Sequence, residues 1–280
     1  MKNLSKTARL HGCIALLALS AATAFATTTS TPPPTDPKDV KQISAQTEQP
    51  ASPLTFRMGI PTWVSAISGS VGARGRVTNA QYISFGDLYN HLDYAIPAEI
   101  QVGYGKWGMQ VDGQYTKLND TLNTRDILFS NASVQMEQAF ADFNVSYKVV
   151  DTDNFTVAPF IGTRYEYVKI SGQASTTGLG PLHPKSFDES RSGAWADPIL
   201  GFQAQYQVFK PTAIVGKADV GGFGLASHLT YQLFIGQQTQ ITRNLYFSTG
   251  YRYLQTNYSN NGFTWDIAYS GPQITFGVNF

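Results

Sequence analysis

The chain has 280 residues, a formal net charge of +1, and only 14% charged residues against 42% hydrophobic ones, with 15 Tyr and 17 Phe. That balance lacks the basic face of a nucleic-acid binder and departs from an ordinary soluble surface, which is about a quarter to a third charged. With a single cysteine, Cys13, there is no disulfide framework; no Cys/His metal spacing and no acidic calcium loop occurs either, so neither a cofactor nor a metal is expected.

The first elements concern the compartment. Lys2, Lys6 and Arg9 precede an apolar run from Ile14 to about Ala22, and Ala24-Phe25-Ala26 follows with small residues at the two positions a signal peptidase reads. This pattern predicts a cleaved secretory signal peptide over 1–26, too short to anchor in a membrane. Cys13 stands at the start of the apolar run rather than after it, which argues against lipidation. Residues 27–53 are rich in Thr, Pro, Ser and Gln with almost no large apolar side chains. Such a segment buries too little surface to offset its ordering entropy and is predicted to be a flexible tail.

From 54 to 280 the texture becomes alternation, without linker or fixed repeat, and predicts one all-β domain. In 92–104, Tyr94, Ile96, Ile100 and Val102 alternate with Asp93, Glu99 and Gln101. In 107–118, Trp107, Met109, Val111 and Tyr115 alternate with Gln110, Asp112 and Gln114. Segments 138–149, 197–208 and 228–240 repeat the pattern. Adding 54–66, 155–169, 212–223, 245–257 and 264–280 gives about ten strands; eight or twelve are the alternatives, twelve if 70–83 forms a further hairpin. Tight connections at Gly105-Lys106, Asp151–Asn154, Lys210-Pro211 and Thr242–Asn244 alternate with long ones at 67–91, 119–131 and 170–194. Short turns at one end and long loops at the other are the asymmetry of a closed antiparallel transmembrane β-barrel. Ser84-Phe85-Gly86-Asp87 resembles a capping box and predicts a short helix over 85–92, in the first long loop.

Charge placement decides which parity faces out. The apolar parity carries almost no charge apart from Lys117 and Lys169 near strand ends, where lysine can snorkel. A charge at mid-membrane would cost about 2–4 kcal/mol there. The opposite parity, mostly Gln, Ser, Thr, Gly and Asn with scattered ions, is therefore the expected lumen. The last strand alternates through Ile274, Phe276 and Val278 to Phe280, like the terminal signal that the barrel insertion machinery reads.

The stretches VGARGR (71–76), ISFGDLYNHLDYAI (83–96), GKWGMQVDGQYTKLND (105–120), WADPILGF (195–202), VGKADVGGFG (215–224), GYRYLQTNY (250–258) and SGPQITFGVNF (270–280) resemble a largely uncharacterised family of Gram-negative outer-membrane proteins with a porin-like barrel domain. The resemblance implies a fold and a location in the cell outer membrane, among outer-membrane lipids and lipopolysaccharide. It implies no reaction and no particular ligand.

The candidate site residues lie on the polar parity: Arg57, Glu99, Asp112, Asp142, Arg164, Glu166, Lys217, Asp219 and Arg252. Four cations and five anions on one face of a narrow barrel predict ion pairs that fill the lumen, because unpaired buried ions are costly. A selective pore is the competing reading. Three histidines follow residue 26: His91, His183 and His228. Ser227-His228, with Asp266 nearby across the last strands, could form a rim hydrolase, but neighbours on a strand point to opposite faces. Gly221-Gly222-Phe223-Gly224 has no following helix and is no phosphate loop. The sequence thus predicts a non-catalytic barrel with a structural or interaction role and an ion-paired lumen. A narrow solute channel is the second reading and a lipid or peptide hydrolase a distant third.

Overall fold

The computed structural model describes residues 54–73, 76–122, 129–176 and 186–280. The predicted signal peptide (1–26), the tail (27–53) and His183 lie outside these residues. The strands are β1 (Leu54–Trp63), β2 (Ala66–Ala73), β3 (Arg76–Ile83), β4 (Leu92–Tyr104), β5 (Trp107–Leu122), β6 (Phe129–Tyr147), β7 (Val150–Asp151), β8 (Phe155–Thr176), β9 (Ser186–Phe209), β10 (Thr212–Gly221), β11 (Leu229–Gln240), β12 (Leu245–Asn260) and β13 (Phe263–Asn279). Among the described residues a helix, α1 (Phe85–Asn90), follows β3. Its cap is the predicted one, with the Ser84 hydroxyl accepting from the Asp87 backbone N–H at 3.2 Å.

Ten strands close the barrel. The hydrogen-bonded order runs β1-β4-β5-β6-β8-β9-β10-β11-β12-β13, and β13 pairs back onto β1. Every pairing is antiparallel, as two-residue turns and hairpins require. Gly105 opens the β4–β5 turn at φ +59°, the positive φ that a II′ hairpin needs at its first central position. Asn261 and Gly262, both at positive φ (49° and 75°), form a two-residue connection of the I′ kind between β12 and β13. The β2–β3 hairpin is an addition at the loop end, with β2 continuing the line of β1 along the far half of β13.

Two of the predicted long loops are shorter than expected. Strands β5 and β6 stay paired out to Leu122 and Ala132, and β8 and β9 out to Ser175 and Ser186. The residues from 170 onward lose their apolar parity, yet their backbone groups keep satisfying one another across the ladder. Pairing outlasts the pattern that announced it.

The apolar parity points outward. Ile96, Ile161, Phe202 and Ile235 are exposed at 61, 70, 52 and 66% respectively. Aromatic residues ring this surface twice: Tyr104, Trp107, Tyr147 and Tyr206 near the turn end, and Tyr94, Tyr115, Tyr165, Tyr231 and Tyr253 nearer the loops. The ten residue steps from Tyr94 to Tyr104 on β4, at about 3.3 Å each and a tilt of about 40°, separate the rings by about 25 Å.

Among the described residues the ladder between β1 and β4 stops short and leaves a seam in the wall. Phe56 and Phe280 exchange both backbone hydrogen bonds, so even residues of β1 bond to β13 and odd residues turn toward β4. The β1–β4 ladder ends at Gly59 opposite Glu99. Two residues further, the same register brings Pro61 opposite Pro97, and neither has an N–H to give. Where the next hydrogen-bonded pair belongs, no bond can form. Beyond that point β1 breaks at Val64-Ser65, and no pairing joins β4 to β3 among the described residues.

Candidate functional site: the barrel lumen

The polar parity lines the lumen, and seven of the nine candidate residues meet there in one connected network. Arg164 on β8, with 0% side-chain exposure, is its centre. Its Nε and Nη2 donate to the two carboxylate oxygens of Asp142 on β6, both at 2.8 Å. Nη2 also lies 3.0 Å from Asp219 Oδ1 on β10. Nη1 donates to Thr230 Oγ1 at 3.0 Å, and Thr230 and Thr256 hydroxyls are 3.0 Å apart. The Thr256 hydroxyl donates to Glu166 Oε1 at 2.6 Å. Lys217 Nζ adds a longer contact of 3.9 Å to Asp142.

Arg252 on β12 forms the second node. Its Nη2 is 2.8 Å from Asp112 Oδ2 on β5, its Nε donates to Gln232 Oε1 at 2.9 Å, and Nη1 donates to Gln273 Oε1 at 3.3 Å. Gln232 Nε2 donates in turn to Asp219 Oδ2 at 3.3 Å. Asp112 is thus the direct carboxylate partner of Arg252, and Asp219 is reached through Gln232. The chain of contacts crosses from β5 to β12, β11, β10, β8 and β6. Bidentate arginine–carboxylate geometry of this kind is both strong and directional.

Arg57 and Glu99 stand apart from this network. Arg57 donates to Asn279 and Gln238 at 2.9 and 2.8 Å and lies over the Tyr246 ring. Glu99 accepts from the Gln101 and Gln110 amides. Both line a cavity of about 470 Å³, Arg57 nearer the turn end and Glu99 opposite Asp112 in the β4–β5 register, where its carboxylate takes the glutamine amides and not a cation. That cavity is rich in glutamine, including Gln101, Gln203 and Gln238, and its inner end meets Asp112 and Arg252.

Above the ionic layer, toward the loops, the lumen becomes apolar. Trp63, Ile67, Phe140, Val168, Trp195, Leu254, Tyr258, Trp265, Ile267 and Tyr269 are buried in one cluster inside the barrel. Trp195 and Tyr258 stack at 4.0 Å, and Trp63 meets Phe140 edge-on at 6.0 Å. Arg252 joins the two layers, its guanidinium 5.0 Å from each of the Trp63 and Phe140 ring centres. This corrects the expectation of a polar lumen throughout. A uniform lumen was inferred from strand centres, whereas inward residues change character along the strand.

Sequence reasoning missed Asp197, which is fully buried beside Arg164 in the β8–β9 register and accepts the Ser227 N–H at 2.8 Å. Its position on the polar parity of β9 was the available signal. Gln232, Thr230, Thr256 and Gln273 were missed because neutral polar residues give no charge cue. At the rim, Ser227 is buried with its backbone held by Asp197, while His228 is exposed and its N–H bonds to the Asn257 carbonyl. The turn before them is tight: Gly222 has φ +84°, and a Cβ there would lie 2.4 Å from Ser227 Oγ.

No family model matches the chain, and no curated protein matches it in sequence. Among solved structures it is similar to the outer membrane protease OmpT from Escherichia coli at 10% identity, covering 81% of this chain and 96% of that one, with a TM-score of 0.45. It is similar to Ail, the attachment invasion locus protein of Yersinia pestis, at 11% identity, 82% and 99% coverage and a TM-score of 0.30. A major outer membrane protein from Thermus thermophilus matches at 13% identity, 81% and 99% coverage and a TM-score of 0.35. At these levels the likeness transfers neither an activity nor a ligand.

Proposed function

We propose that this chain spans the bacterial outer membrane as a closed, non-catalytic barrel whose role is structural or interactive rather than conductive. The observation that carries the reading is double closure: a hydrogen-bonded ionic layer lies directly beneath an aromatic one. A solute crossing the lumen would have to break buried ion pairs and then displace packed rings, each a cost of several kcal/mol. The outward apolar belt between two aromatic rings supports placement in a bilayer. In this reading the turn end faces the periplasm, the belt contacts outer-membrane lipids and lipopolysaccharide, and the strand ending at Phe280 engages the barrel insertion machinery. No nucleic acid, metal or cofactor takes part.

The 470 Å³ cavity open toward the turn end favours the second reading, a narrow solute channel with a periplasmic vestibule. Planar-bilayer recording on the purified protein separates the two. The closed barrel gives rare, small conductance events at most. Stable unitary currents in the wild-type protein would overturn it in favour of the channel.

A further inference from the structure

We propose that the seam between β1 and β4 admits the end of one membrane acyl chain, which occupies a small apolar pocket beneath α1. The reasoning starts with the two prolines. Beyond Pro61 and Pro97, the two lips of the wall are Trp63 on β1 and Ala95 on β4, each four residues past the last β1–β4 pair, Gly59 and Glu99. Both line a pocket of about 80 Å³ whose walls are otherwise mostly apolar, with Ile67, Phe140, Leu88 and Leu92 among them. Ala95 contributes only a methyl group, so the gap between the lips is left by a small side chain as well as by the missing ladder.

The inner end of the pocket is polar. The Tyr269 hydroxyl is buried there with the Gln138 side chain beside it. α1 lies over the pocket, and its Phe85 and Tyr89 line it yet remain exposed. Neither is buried by the fold.

The seam's height identifies the occupant. Pro97 lies seven residues from the turn-end ring residue Tyr104 and three from the loop-end ring residue Tyr94. The opening therefore begins inside the apolar belt and reaches its upper edge, where acyl chains and not water lie against the wall. Ile60 and Ile96, on the outer faces of the two lips, are exposed at 60 and 61% and belong to the same belt. A pocket of this volume takes a chain terminus and not a whole lipid.

The test uses contact quenching in vesicles of phosphatidylcholine with brominated acyl chains. The protein has four tryptophans, and Trp63 is 7% exposed inside the barrel whereas Trp107 is 58% exposed on the belt. Two single-tryptophan proteins are compared, each with the other three changed to Phe, and heat-modifiable gel mobility confirms folding. The inference rests on the membrane-spanning reading, which the Trp107-only protein reports independently. If Trp107 is quenched, the barrel is inserted. Trp63-only emission should then fall by a fraction comparable to Trp107-only emission, and Ala95→Phe should abolish the Trp63 loss while leaving Trp107 unchanged.

Quenched Trp107 with unquenched Trp63 would overturn the pocket and leave the barrel reading intact. Should the single-tryptophan proteins fail to fold, wild-type protein in vesicles bearing a diazirine on the acyl chain gives the same decision. Crosslinks on Leu88, Leu92 or Trp63 support the pocket. Crosslinks confined to outward residues such as Ile96 and Phe202 reject it.

Discussion

Arg252→Ala is the sharpest test of the lumen, because it removes one node and leaves the other. The guanidinium is bonded to Asp112, Gln232 and Gln273 and lies against the Trp63 and Phe140 rings. Removing one partner of a buried pair costs about 3–5 kcal/mol, chiefly because the remaining charge is stranded. Here the stranded charge is Asp112, whose side chain is 9% exposed and borders the turn-end cavity. Water in that cavity can partly solvate it, which puts the expectation near the lower end, about 3 kcal/mol. The assay is the midpoint of thermal or urea unfolding in detergent micelles, followed by heat-modifiable gel mobility. Adding Asp112→Asn to Arg252→Ala removes the stranded charge and should recover a large part of the loss. Conductance should stay low in both proteins, since the aromatic layer above Arg252 remains. If the single variant unfolds like wild type, or the added Asn makes matters worse, the pair does not hold the lumen together.

The remaining predictions address other parts of the same picture. Arg164→Leu should destabilise more than Arg252→Ala by the same unfolding assay, because Arg164 is fully buried and faces both Asp142 and Asp219; equal midpoints would refute its central place. Phe202→Arg should cost about 2–4 kcal/mol at mid-membrane, while Gln203→Arg, one residue along and lining the cavity, should assemble nearly normally; equal tolerance on a heat-modifiable gel would mean the faces are wrongly assigned. Exported protein recovered from outer membranes should begin near Thr27 by N-terminal sequencing, and recovery from the soluble periplasm would refute the membrane assignment.

The fold was legible because period two survives wherever one face of a strand is uniformly wet or uniformly dry. Ile96-Pro97-Ala98-Glu99-Ile100 reads as a strand with a lipid face on sight. Three features were harder. The extensions of β8 and β9 beyond residue 170 carry polar residues on their outer face, so no periodicity marks them, although their backbones stay paired. The expected bounds of 257 and 264 pass over the Asn261-Gly262 turn, whose positive φ values carry β12 on to Asn260 and open β13 at Phe263. The seam required register, because Pro61 and Pro97 are 36 positions apart in the sequence and become opposed only once β1 and β4 are aligned.

The aromatic layer was missed for a physical reason that the sequence contains. On β13, Gln273 and Thr275 point inward near the turn end, and Trp265, Ile267 and Tyr269 occupy the same parity nearer the loops. Outward residues switch the other way: Ile274 and Phe276 give way to Asp266 and Thr264. β8 repeats the exchange, with Arg164 and Glu166 followed inward by Val168, and Ile161 and Tyr165 followed outward by Lys169 and Ser171. The parity of a strand does not change, but the solvent around it does. Within the bilayer the exterior is hydrocarbon, so apolar side chains go out and polar ones fill the lumen. Beyond the loop-end ring the exterior is water, and the hydrophobic effect drives apolar side chains inward as in any soluble protein. Strands that outlast the membrane must therefore exchange the chemistry of their faces near the ring of Tyr94, Tyr115, Tyr165, Tyr231 and Tyr253. Arg252 lies at that exchange, with a carboxylate on one side and aromatic rings on the other, which is why a single side chain belongs to both closures.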